Sequence, residues 1–404
     1  MDLLENAVQP YAWGSRTAIA ELRGEPIPSP GPQAELWMGA HPLAPSRIVR
    51  GGVPLTLIEA VARSPTAELG PRALAEHGPQ LPFLLKVLAA DEPLSLQAHP
   101  DARQAREGFD REEAAGLGRD APHRSYRDPL PKPELLCALT SFDALCGFRP
   151  AVEAAALLEE LGPALAPVRE RLLSGGGAEG LRAAFTFLAT LPASERQPVV
   201  EAAARAAARA RPGPFADAFA LTGELAVRYP GDPGVVIALL LRLLHLSPGQ
   251  ALYLAAGSLH AYLHGVGVEI MASSDNVLRG GLTPKHVDVP ELLRVLRFTE
   301  ETVPLVAPRA GAPGELIYET PARHFELSRI SPPESGFQAV VIGPEILLCT
   351  GGVVTAVAGE ERLDLRRGAS AFVPAVTGRY RLDGAGVAFR ASLPRHSRSS
   401  SGPP

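Results

Sequence analysis

The chain has 404 residues, with 39 lysines and arginines against 44 aspartates and glutamates and a net charge of -5 at neutral pH. That balance gives no basic field for nucleic acid or for an anionic membrane, so neither is expected as a partner and a small soluble molecule is. The three cysteines, Cys137, Cys146 and Cys349, are odd in number and lack metal-type spacing, which argues for a reducing, cytoplasmic setting rather than a disulfide framework.

The first five residues carry neither the basic n-region nor the apolar core of a secretion signal, and no apolar run is long enough to span a bilayer. The longest candidate, residues 235–246, is interrupted by Arg242. The length suits two or three domains.

In chain order, segments 10–14 and 34–42 set both tryptophans, Trp13 and Trp37, beside small and turn residues. Trp13 next to Gly14 suits a pocket rim or plain packing. Glu35 alternates with apolar Leu36, so it faces an interior or pairs on the surface. Residues 82–88 are almost wholly apolar and predict a buried strand, in which Lys86 is an ammonium that needs an anion nearby.

Residues 94–101, Leu-Ser-Leu-Gln-Ala-His-Pro-Asp, alternate polar and apolar and stop at proline, the pattern of a short strand. Ser95, Gln97 and His99 then share one face, opposite Leu94, Leu96 and Ala98. Segment 101–127 is charged and glycine-containing, which predicts a surface excursion with a short helix over 102–106. In Pro131-Lys132-Pro133-Glu134 the second proline biases Lys132 towards an extended backbone and puts Lys132 and Glu134 on one face.

From residue 150 the chain turns alanine- and leucine-rich, with helical spacing over 151–174, 178–190, 194–210 and 215–228 and Gly and Pro between, a helical insertion. Arg205, Arg209 and Arg211, spaced among alanines, read as a solvated face. Asp232-Pro233 predicts the cap and first turn of one more helix, running to about residue 246.

Strands resume over 251–254 and 258–263, where Ser258, His260 and Tyr262 share a face, and Glu269 opposes apolar neighbours and is expected to point inward. Segment 273–285 is polar, Gly-flanked and carries Arg279 and Lys285. Such a loop suits a phosphate, through the planar fork of arginine and the point charge of lysine, or simply bears two solvated cations.

Beyond residue 297, short strands over 325–330, 339–342, 353–357 and 371–374 are punctuated by Gly and Pro, as in a small antiparallel barrel or jelly roll. His324 and His396 form no cluster there, so that segment is expected to hold no metal. The tail 396–404, rich in Ser, Pro and Gly, is expected to be disordered.

Three strands thus offer Gln97, His99, Glu134 and His260 as inward-pointing donors. Two imidazoles and a carboxylate suit a catalytic divalent ion, zinc first, with glutamine the unusual member.

Segments 11–15 and 34–39, the Gln97/His99 strand, Lys132-Pro133-Glu134, 258–262 and 273–285, in that order and spacing, resemble class I mannose-6-phosphate isomerases. The resemblance runs from about residue 3 to 300 and continues more loosely beyond. It implies a mainly β fold with an α insertion: a cupin-type jelly-roll catalytic domain (1–149 and 232–305), the helical insertion (150–231) and a second cupin-like domain (306–395).

It also implies one zinc ion held by Gln97, His99, Glu134 and His260. Arg279, Lys132, Glu269, Asp275 and Tyr262 would surround the substrate, Lys86, Ser95 and Lys285 would hold its phosphate, and Glu35 and Trp13 would wall the cavity. The implied enzyme is a cytoplasmic monomer that interconverts D-mannose 6-phosphate and D-fructose 6-phosphate through a cis-enediol, serving mannose breakdown or GDP-mannose supply. Many relatives carry a histidine before the lysine of Lys-Pro-Glu; here that residue is Pro131, so a mechanism resting on that histidine does not apply. Glu269, raised by burial, and Lys132, lowered by burial and zinc, both remain open as the general base. A metal-dependent cupin oxygenase and a non-catalytic sugar-binding cupin are the rival readings.

Overall fold

The computed structural model describes residues 1–210, 212–300 and 305–395. Arg211 and the tail 396–404 lie outside the described residues.

An eleven-stranded antiparallel sheet is built around the 13-residue strand His260–Ala272. Its first half pairs with Leu96–Ala98 and Phe142–Phe148, its second half with Phe83–Ala90 and Glu134–Ala138. One strand therefore passes from one layer of a jelly-roll barrel to the other, the expected cupin-type architecture. The bend falls at Gly265, where φ is 124° and the register has just slipped between Tyr262 and His264. A Cβ at that position would meet the Ser141 carbonyl oxygen at 2.5 Å, so the crossing requires glycine.

Alternation along Phe83–Ala90 sorts its side chains between two cores. Phe83, Leu85 and Val87 pack outward with Phe325, Leu327, Ile346 and Phe389 of the C-terminal sheet, while Leu88 and Ala90 point inward with Leu136, Phe142 and Tyr262. Lys86 lies on the inward face.

The second sheet has ten strands, from Arg309–Ala310 to Gly386–Ser392, and takes in the first strand of the chain, Asp2–Leu3, which pairs with Ser370–Val373. The expected division put these opening residues with the first sheet.

Helices Ala151–Glu160, Ala166–Ser174, Gly177–Ala189, Ala193–Ala207 and Ala216–Arg228 form the insertion around Leu157, Leu172, Leu181, Phe185 and Leu225. Gly162 and Pro163 split the run expected over 151–174. Two other expectations fail. The helix predicted to reach residue 246 covers only Gly234–Ile237 and a 3-10 turn, Ala238–Leu240; Leu241–Leu246 is a strand paired with Phe142–Phe148. A short leucine-rich run fits either state, and the open sheet edge decides it.

The excursion after Asp101 is also more ordered than expected. A capping box between Asp101 and Gln104 starts a 13-residue helix, Ala102–Ala114. The return is not on the surface, because Arg124, Ser125 and Tyr126 are buried. Gly108 makes room for that packing, since a Cβ there would lie 2.4 Å from the Tyr126 ring.

Candidate active site

His99, just past the Leu96–Ala98 strand, and Glu134 and His260, at the starts of theirs, converge with ligand atoms within 4.8 Å of one another. His99 Nε2 lies 3.3 Å from Glu134 Oε1, and His260 Nε2 lies 3.5 Å from Glu134 Oε2. On the far sides of the rings, His99 Nδ1 meets the Asn276 carbonyl oxygen at 2.7 Å and His260 Nδ1 meets that of Ser258 at 3.1 Å. A carbonyl only accepts, so both protons sit on Nδ1 and both Nε2 atoms present lone pairs to the same point. Burial pushes the His99 imidazole down to about 4, which keeps it neutral at ordinary pH.

Both Nε2 atoms and Glu134 Oε2 are buried without a hydrogen-bond partner. Leaving such groups unsatisfied costs about 1–3 kcal/mol each, and a divalent cation satisfies all three together. The fit to a metal is therefore good on the chain's own geometry. Gln97 lies in register between His260 on one side and Arg279 on the other.

The cluster borders a cavity of about 770 Å³, within the usual range for small-molecule sites. Of the expected residues, Trp13, Glu35, Lys86, Ser95, Gln97, Lys132, Glu134, Tyr262, Glu269, Asp275, Arg279 and Lys285 all line it. At the rim, Trp13 stacks on Tyr11 with ring centroids 5.8 Å apart.

One wall is a closed network of charges. Trp37, Lys86 and Glu269 sit side by side across three strands. Trp37 Nε1 donates to Glu35 Oε2 at 2.6 Å, Lys86 Nζ lies 3.5 Å from Glu35 and 3.2 Å from Glu269, and the Tyr262 hydroxyl donates to Glu269 at 2.9 Å. Glu35 thus faces the interior. Burial would strip the charge from Lys86, but Glu35, Glu269 and Glu134 more than restore it. Lys86, expected at the phosphate, is held between the Glu35 and Glu269 carboxylates and lines the cavity. Burial raises the Glu269 carboxyl, with Lys86 opposing.

Another part of the lining is the reverse. Arg279 and Lys285, together with Arg127, have no carboxylate within ion-pair distance among the described residues. Burial lowers the affinity of Arg279 and Lys285 for their protons, and the mutual repulsion of these cations lowers it further. Lys132 Nζ, by contrast, lies 3.3 Å from Glu134 Oε1.

Sequence reasoning missed Arg127, His41 and Asn276. Asn276 is fully buried; its amide donates to the carbonyls of Asp128 (2.7 Å) and Leu130 (2.9 Å) and accepts from the Arg127 N–H (2.7 Å). It ties segment 127–130 to the loop that orients His99. The turn-rich run Ser273 to Asn276 was the only signal. His41 Nε2 lies 3.2 Å from Asp275, a contact between segments far apart in sequence.

Residues 1–151 match the family model for the phosphomannose isomerase type I catalytic domain. The mannose-6-phosphate isomerase of Salmonella typhimurium is 41% identical over 382 residues, covering 93% of this chain and 95% of that protein. The chain belongs to the type I phosphomannose isomerases. The enzyme of Escherichia coli is 39% identical over the same 93% of this chain and 95% of its own length. A solved mannose 6-phosphate isomerase bound with zinc and yttrium superposes with a TM-score of 0.90 at 38% identity, over 97% of this chain and 99% of that one. Family members are aldose–ketose isomerases, so the oxygenase and non-catalytic readings fall away. Among the described residues no helix is long and apolar enough to cross a membrane.

Proposed function

We propose that the chain interconverts D-mannose 6-phosphate and D-fructose 6-phosphate, with one zinc ion held by Gln97, His99, Glu134 and His260. The observation that carries this reading is the pairing of two unmet needs in one cavity: three buried ligand atoms without partners, and a wall of cations without carboxylates.

Zinc bound there supplies a Lewis acid for the oxygens on C1 and C2. Lys132, beside Glu134, and Arg279, in register with Gln97, add positive charge where an enediolate would develop. Glu269 carries the proton between C2 and C1. Its burial favours a carboxyl closer to working pH, and the Tyr262 hydroxyl and Lys86 ammonium hold its oxygens in a fixed orientation. Pro131 offers no proton carrier. Lys285 and Arg127 bind the phosphate, with Ser95 as a further donor; Trp13 and Glu35 wall the sugar; Lys86 serves the Glu35–Glu269 network instead. On this reading the enzyme is a cytoplasmic monomer divided as expected near residues 150, 231 and 305.

A coupled assay that follows fructose 6-phosphate formed from mannose 6-phosphate tests it. Turnover should vanish on chelation and return with zinc; turnover indifferent to chelator would overturn it.

A further inference from the structure

Asp275 borders the cavity, and among the described residues His41 is the only side chain that holds its carboxylate. His41 is buried, on the loop after the Glu35–Met38 strand. That loop is pinned at its ends: the Ser46 N–H donates to the Gly39 carbonyl at 2.8 Å, and the Gly39 N–H donates to Ser46 Oγ at 3.0 Å. The His41 ring packs edge-on to Trp37, with centroids 4.7 Å apart, and Trp37 is in turn fixed by Glu35.

The tautomer follows from the hydrogen bonds. The Leu43 N–H donates to His41 Nδ1 at 3.3 Å, so Nδ1 carries the lone pair and Nε2 the proton. Nε2 lies 3.2 Å from Asp275 Oδ1. The Asp275 backbone N–H is engaged separately, with Asp128 Oδ2 at 2.8 Å. Burial alone would raise the Asp275 carboxyl; the neighbouring His41 ring and the charges of Lys132 and Arg127 outweigh it and hold it below its usual range. An ionised, half-buried carboxylate with one oxygen fixed is a directed acceptor.

We propose that His41 is a positioning residue for the hexose: by holding Oδ1 it turns Oδ2 of Asp275 towards a sugar hydroxyl, while the cationic wall takes the phosphate. The proposal rests on the reading of this cavity as a sugar-phosphate site. It divides substrate binding between two groups that can be perturbed separately.

Two substitutions separate positioning from packing. His41→Leu keeps the bulk and donates nothing; His41→Gln can present an amide N–H near the place of Nε2. For His41→Leu the KM for mannose 6-phosphate should rise roughly tenfold, with kcat less affected and with zinc content and competitive inhibition by inorganic phosphate unchanged. His41→Gln should recover most of the KM. Equal impairment of the two variants, an unchanged KM in His41→Leu, or a parallel loss of inorganic phosphate affinity would each overturn the proposal. A wild-type protein that fails to turn over mannose 6-phosphate would instead strike the underlying reading.

Discussion

Lys285→Met removes one of three cavity cations that, among the described residues, have no carboxylate within ion-pair distance. A hydrogen bond to a charged group contributes about 1.5–3 kcal/mol, and the exposure of Lys285 cuts that to about 1–1.5 kcal/mol, or roughly tenfold in affinity. The phosphate is remote from the reacting carbons, so the loss should appear mainly in KM, with kcat reduced less. Removing the lysine also relieves its repulsion with Arg279 and Arg127, so the free variant should melt no lower than wild type.

Lys86→Met is the contrasting case. It strands Glu35 and Glu269 in the interior and should cost about 3–5 kcal/mol of stability. The coupled assay, competition by inorganic phosphate and a thermal melt measure all of this. A Lys285→Met enzyme with unchanged KM, beside a well-folded Lys86→Met enzyme with a raised one, would refute the phosphate assignment.

Asn276→Ala should weaken zinc affinity by about 10–100-fold while leaving every ligand in place, because it frees the loop whose carbonyl orients His99; a zinc titration of the variant reads this directly. In the C-terminal sheet, Glu326 is pushed up by burial, against Arg390 and with Glu315, from 4.5 to about 7. The folded chain then keeps a proton that the unfolded chain releases, so this contribution to stability is full below 4.5 and declines as pH rises to about 7. The decline should amount to about 2 kcal/mol after allowance for partial exposure, and Glu326→Gln should flatten it in urea titrations at pH 5 and 7.5.

The His99–Glu134–His260 cluster was partly legible because strand alternation is a local rule: His99 shared a face with Ser95 and Gln97, and proline at 133 biased the backbone beside Glu134 towards an extended form. The buried Lys86 also announced its need for an anion. Which anion it found was not legible, since Glu35 and Glu269 come from strands remote in sequence whose register only the folded sheet sets. The same holds for the His41–Asp275 pair. Helix and strand were confused at 241–246 because Leu-Arg-Leu-Leu-His-Leu satisfies both periods, and the edge of Phe142–Phe148 settled the matter. The helix at 102–114 was underestimated because its stability comes from a capping box and Arg–Glu pairs such as Arg103–Glu107 rather than from a broad apolar face.

The most direct test is to titrate zinc into metal-free protein while following isomerisation, in the wild-type chain and in a His99→Ala/His260→Ala variant. Wild type should bind one zinc per chain and regain turnover in proportion, and the variant should do neither. Full turnover without metal, or zinc bound equally well by the variant, would contradict the account.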